Sequence, residues 1–262
     1  MSAPAPVLLD AWRLAAGMLS AVPVTPPSRV DTRVAGAAML LAPIGAWPVV
    51  LWWLGWGAFS LLIGAPALLS GAIAVTGVVL ATRAMHLDGL ADVADALSAS
   101  YDRERALQVM KTGDVGPSGA AGIAIVLGLQ VSGASYLAGS WHGIVLGALA
   151  LLSSRWILSL GTARGIPSAR PTGLGATFAG SVHPGAPVLS GMALGLLGGF
   201  ALSITGGVWW QAPIIVCTAA VATALLVRRC VQRFGGITGD VLGAGIEISA
   251  ASALVMAALL VA

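Results

Sequence analysis

Residues 86–95 read His86-Leu87-Asp88-Gly89-Leu90-Ala91-Asp92-Val93-Ala94-Asp95. On a helix, carboxylates at i, i+4 and i+7 fall within an arc of roughly 60° on one face. The chain has ten Asp and Glu in 262 residues, and six of them (Asp88, Asp92, Asp95, Asp102, Glu104 and Asp114) lie between positions 88 and 114. No Lys or Arg is interleaved between the first three, so they repel one another. A hard divalent cation reverses that balance, and Mg²⁺ is held by one or two carboxylates together with water and substrate phosphates. A solvated helix face, or an acidic first turn favoured by the helix dipole, leaves the missing counter-charges unexplained. The pattern assigns Asp88, Asp92 and Asp95 as a catalytic, Mg²⁺-binding face. His86 is either a ligand or proton shuttle there, or an interfacial hydrogen-bonding residue. Gly89 is expected to let a ligand approach the backbone closely.

The elements that hold these residues follow from composition. Hydrophobic residues make up 58% of the chain and charged ones 9%, with a mean hydropathy of +0.94. Soluble domains carry about a quarter charged residues. The expectation is an all-α, polytopic integral membrane bundle forming one domain over residues 1–262. A net charge of +3, with basic residues scattered through loops, argues against nucleic acid as a partner. Cys217 and Cys230 form neither CxxC nor a metal-ligand spacing. Asp10 and Arg13 interrupt the first apolar stretch, so a cleaved signal peptide is not expected.

Seven apolar stretches are long enough to span a bilayer as helices, near 34–56, 65–82, 117–139, 143–161, 186–206, 210–227 and 241–262. Pro43 and Pro48 predict a kink or break in the first. The connections near 57–64, 140–142 and 207–209 hold no Lys or Arg. The intervening ones carry Arg83, Arg103, Arg105 and Lys111, then Arg164 and Arg170, then Arg228, Arg229 and Arg233. By the positive-inside rule these basic loops are cytoplasmic. A cell-membrane protein with a cytoplasmic N-terminus, an external C-terminus and a cytoplasmic-face active site is the expected arrangement.

Two further polar stretches share that face: Ala169-Arg170-Pro171-Thr172-Gly173-Leu174-Gly175, and Gly235-Gly236-Ile237-Thr238-Gly239-Asp240. Lys111, Arg164 and Arg170 suit the phosphates of a substrate held near a carboxylate-bound metal, with Arg offering bidentate contacts. Positive-inside topology alone also produces basic loops, so for any single Arg the two readings are evenly balanced. Thr238 and Asp240 are expected to close the site. Arg155 and Glu247 lie within predicted spans, each about seven residues from its cytoplasmic end. At 1.5 Å per residue both sit roughly 10 Å deep. Intramembrane charges face a partner or a watered cavity, so these two are expected to pair, or to line one polar pocket below the acidic helix.

The run from His86 to Asp92 with Asp95, followed by Arg103, Met110-Lys111 and Val115-Gly116, resembles the signature of the cobalamin synthase family, the adenosylcobinamide-GDP ribazoletransferases. Residues 169–175 resemble that family's second block, and residues 235–244 through Glu247 its third. Ala21-Val22-Pro23-Val24 fits a weaker element. Ala96 and Thr112 depart from the pattern, which often has Gly after the last Asp and an acid directly after the Lys. The pattern therefore gives Asp114 no definite role. The resemblance implies Mg²⁺-dependent transfer. A hydroxyl of α-ribazole, or of its 5′-phosphate, attacks the cobinamide-linked phosphorus of adenosylcobinamide-GDP, and GMP leaves. Within the matching blocks it implies substrate contacts from Lys111, Arg170, Thr238, Asp240 and Glu247; Arg164 and Arg155, outside the blocks, are expected as further substrate contacts from their place on the same face, and Asp114 stays a candidate beside Lys111. Its partners are these small molecules and the lipid bilayer, and a homo-oligomer is allowed.

The runner-up is a membrane phosphotransferase of the CDP-alcohol type, whose pattern follows Asp-Gly with Ala-Arg; here Asp92 follows Ala91. An ion transporter using Asp88, Asp92, Asp95, Arg155 and Glu247 is a third reading. Transport favours mid-membrane charges and internal repeats. The chain shows no repeat, and its charges cluster at one face.

Overall fold

The computed structural model describes residues 5–261. Its described part is helical: α1 (Val7–Leu19), α2 (Thr32–Leu40), α3 (Ala42–Gly45), α4 (Trp47–Leu62), α5 (Ala67–Ala81), α6 (Met85–Ala99), α7 (Arg103–Val109), α8 (Pro117–Leu137), α9 (Trp141–Gly161), α10 (Leu174–Phe178), α11 (Gly185–Ile204), α12 (Gln211–Phe234) and α13 (Gly239–Val261). Two isolated bridges, Ala163 to Val182 and Ser168 to Ile237, are the extended pairings among the described residues.

Five helices (α8, α9, α11, α12 and α13) are long and apolar enough to cross a membrane, or six if α5 and α6 form one broken span. The chain is a multi-pass membrane protein, but the expected count of seven is not reproduced. The stretch expected at 34–56 divides into α2, α3 and α4. Pro43 and Pro48 stand in the first turns of α3 and α4, where a missing N–H costs nothing. What remains, α4, has 16 residues, and α5 has 15. At 1.5 Å per residue these reach roughly 22–24 Å, short of a hydrocarbon core of about 30 Å.

Within the five, α9 and α13 are the inner pair. Of their apolar windows 83% and 61% are buried, against 28–33% for α8, α11 and α12. α13 packs against α6, α8, α9 and α12 and so forms the axis of the bundle.

The element that matters for chemistry is α6. It turns 91° away from α5 at Thr82–Ala84. Arg83 and Ala84 make this turn at φ +55° and +56°, a left-handed conformation that costs non-glycine residues free energy. Hydrogen bonds hold the corner: Arg83 Nη2 donates to the Gly17 carbonyl at 3.2 Å, and the Ala21 N–H donates to the Ala81 carbonyl at 2.7 Å. From there α6 runs across the starts of α13 and α8, with Gly89 against Asp240, Gly243 beside His86, and Gly119 against Ala91.

Candidate active site

Gly89 is the crossing point of α6 and α13. A Cβ there would stand 2.8 Å from the Asp240 carbonyl oxygen and 3.0 Å from its Cα. Expected to admit a ligand, this glycine instead admits the backbone of α13. The close approach sets Asp92, half-buried on α6, against Asp240 in the first turn of α13. The Asp92 carboxyl is pushed up to about 6, first by burial and then by the charges of Asp240, Asp88 and Asp95, with Arg170 pulling the other way. Asp88 is exposed at the edge of the same group.

Asp95 has a different task. Its two carboxylate oxygens accept the Gly116 N–H at 2.7 Å and the Gly119 N–H at 2.8 Å, at the start of α8. Gly116 occupies the N-cap position and has no side chain to cap with, so Asp95 supplies the cap from a neighbouring helix. A Cβ at Gly116 or Gly119 would lie 2.6 or 2.4 Å from that carboxylate, which is why both positions are glycine. The expected trio of Asp88, Asp92 and Asp95 therefore does not converge. Among the described residues no group of three His, Cys, Asp or Glu side chains is assembled to hold a metal.

The two glycine-rich loops are zipped together beside Asp240. The Ala169 N–H donates to the Ile237 carbonyl and the Ile237 N–H to the Pro167 carbonyl, both at 2.9 Å. A Cβ at Gly175 or Gly236 would enter the facing loop's backbone at 2.5 or 2.4 Å. Between the loops lies a polar cavity of about 130 Å³, lined in part by Ser168, Arg170, Gly173, Thr238 and Asp240. The Thr238 hydroxyl donates to Asp240 Oδ2 at 3.1 Å and accepts the Val241 N–H at 3.2 Å, capping α13 and aiming the carboxylate together. Arg170 Nη2 donates to the Leu107 carbonyl at 2.8 Å, tying the cavity to α7, and its buried Nε has no partner. Arg103 reaches the Ala169 carbonyl from the other end of α7 at 3.1 Å. Larger cavities, of about 820 Å³ and less, are apolar grooves along α9, α11, α12 and α13 and hold no ionisable cluster.

Below the crossing, Arg155 and Glu247 are 1% and 5% exposed. Glu247 Oε2 accepts from Gln130 Nε2 at 2.7 Å, and Oε1 lies 3.8 Å from His86 Nδ1. Arg155 Nη1 donates to the Ser154 hydroxyl at 2.7 Å, while Nε and Nη2 are buried without a partner. Both residues are enclosed as expected, yet they form no ion pair within 4.0 Å. His86, Arg155 and Glu247 do not line the loop cavity. Lys111, Asp114 and Arg164 are exposed, do not line this cavity, and make no side-chain hydrogen bond or ion pair among the described residues.

The family model described as Cobalamin-5-phosphate synthase matches residues 11–258. The chain belongs to this family. Among its relatives are proteins named adenosylcobinamide-GDP ribazoletransferase from Nocardioides sp., 40% identical over 94% of this chain and 96% of the relative, and from Frankia casuarinae, 37% identical over 97% and 95%. The protein of that name from Pseudomonas fluorescens is 34% identical over 96% of this chain and its own full length. No solved structure matches. The matched region contains the α6 aspartates, both glycine-rich loops and the buried Glu247 group.

Gln130 was missed in the sequence. A neutral amide adds nothing to a charge count, although it stands alone in the apolar run Ile123–Val131 of α8.

Proposed function

We propose that this chain is an adenosylcobinamide-GDP ribazoletransferase. It joins adenosylcobinamide-GDP to α-ribazole, or to α-ribazole 5′-phosphate, and releases GMP. Family membership over nearly the whole chain supports the reaction. The observation that carries the site is the concentration of Asp88, Asp92 and Asp240 beside a polar loop cavity that also holds Arg170.

The acceptor hydroxyl oxygen forms a bond to the cobinamide-linked phosphorus. The bond from that phosphorus to the bridging oxygen breaks, the oxygen leaves as part of GMP, and the hydroxyl proton passes to water. The donor set suits Mg²⁺ shared with the substrate: one or two carboxylates from the protein, the rest from phosphates and water. Bound there, Mg²⁺ would offset charge on the bridging and leaving oxygens. Asp92 and Asp240 would hold the ion from opposite helices, with Asp88 at the exposed edge adding its charge to theirs. Arg170 lines the cavity and orients the diphosphate, while Lys111 and Arg164 are exposed cations for the substrate's outer phosphate oxygens. Thr238 keeps Asp240 in place. The positive-inside distribution supports a cytoplasmic site.

The test uses purified full-length protein in liposomes with adenosylcobinamide-GDP and α-ribazole, following GMP. Release that needs both substrates and stops with EDTA is the expected result. No release with Mg²⁺ present would refute the reaction.

A further inference from the structure

Asp240, Gly243 and Glu247 follow one another at i, i+3 and i+7 along one face of α13. α6 lies on that strip: Gly89 meets Asp240, His86 meets Gly243, and one layer deeper the His86 ring faces Glu247. The seating of α6, and with it the separation of Asp92 from Asp240, is thus continued inward by one buried carboxylate. Four helices meet there, because Gln130 comes from α8 and Arg155 from α9. A buried carboxylate and a buried guanidinium more than 4.0 Å apart are not a direct ion pair. Nε and Nη2 of Arg155 and Nδ1 of His86 are all enclosed and unpartnered around the same group. Polar atoms left in that way call for bridging water, which needs two or more such partners.

We propose that Glu247 is a positioning residue for the phosphoryl-transfer site. Held by Gln130 and linked through water to Arg155 and His86, it fixes the register of α6 on α13, so that Asp88 and Asp92 stand opposite Asp240. The role is indirect, since Glu247 is shut off from the loop cavity. It rests on the carboxylate site proposed above.

Glu247→Gln in the full-length chain, in liposomes, keeps the size and polarity of the side chain but removes its charge. The expected result is a fall in kcat of about 10- to 100-fold, the usual loss when support for a metal-binding group is removed. The KM for adenosylcobinamide-GDP should change by less than about twofold. Binding of Mn²⁺ as a probe, read by electron paramagnetic resonance without substrates, should weaken by a factor similar to the kcat loss. The doubly neutral Arg155→Met/Glu247→Gln chain should regain the wild-type melting temperature while kcat and Mn²⁺ affinity stay low. Wild-type Mn²⁺ affinity in Glu247→Gln would overturn the proposal. So would recovery of stability and turnover together in the double variant, which is what a purely structural pair predicts. If Glu247→Gln does not fold, Gln130→Leu replaces it, and undiminished Mn²⁺ affinity there is equally fatal. A wild-type protein that binds Mn²⁺ but releases no GMP would strike the assigned reaction and leave this proposal to the binding data.

Discussion

Asp92 and Asp95 are three residues apart on one helix, and their surroundings separate their work. Asp95 spends both oxygens on the α8 N-terminus. Asp95→Asn leaves one acceptor for two N–H groups and should cost about 1 kcal/mol, within the usual range for a helix cap. The Mg²⁺ concentration needed for half-maximal rate should not move. Thermal melting in detergent together with a Mg²⁺ titration checks both halves. Asp92 carries the opposite expectation. Its carboxyl is pushed up to about 6 from 3.8, so the ionised form that binds metal is lost as pH falls through about 6. The Mg²⁺ requirement should be flat above neutrality and rise about tenfold per pH unit well below 6. A requirement that stays flat down to pH 4.5 would show that Asp92 is not a ligand. The acidic face was legible from spacing alone. The division of labour on it was not, because it depends on which neighbouring helix begins beside the third carboxylate.

Helix α6 works by where it is laid. Alanine normally gains about 0.5–1 kcal/mol over glycine inside a helix, so Gly89→Ala would stabilise α6 if its surroundings were open. They are not: the new Cβ meets the α13 backbone at 2.8 Å, and backbone cannot rotate away. Gly89→Ala should lift α6 from Asp240 and lower kcat about 100-fold, the scale expected for a displacement near 1 Å. Circular dichroism should still show a helical protein. Near-normal turnover would mean that the crossing does not set the site. The helical character of 85–99 could be read from its periodicity. Its 91° turn could not, because neither Gly nor Pro stands at Arg83–Ala84, and the corner is held by contacts with α1 and the segment that follows it. Arg155 and Glu247 were legible as enclosed charges, but Gln130, the partner that Glu247 takes, carried no charge to mark it.

At the scale of the whole molecule, hydropathy located the long apolar helices but neither α1 nor which of the apolar stretches cross the bilayer. A 15- or 16-residue helix and a 21-residue one look alike in an apolar run once flanking residues are included. α4 and α5 fall on the short side, and the first expected span breaks at its prolines. The structure gathers the α6 aspartates, the α8 start and both glycine-rich loops at one end of the bundle. We propose from the positive-inside rule that this end is the cytoplasmic one. Reporter fusions after residues 100, 175 and 235 should read internal, and those after 141 and 208 external. A cytoplasmic signal at 208 would invert the last two helices and contradict the orientation.

The central claim is that carboxylates on α6, set against Asp240, make phosphoryl transfer depend on Mg²⁺. The most direct measurement is the initial rate of GMP formation in liposomes across a Mg²⁺ titration, for the wild-type chain and Asp92→Asn. The account predicts that Asp92→Asn reaches the membrane folded, yet shows no turnover at Mg²⁺ levels that saturate the wild type. A variant that matches the wild-type rate at limiting Mg²⁺ would contradict it.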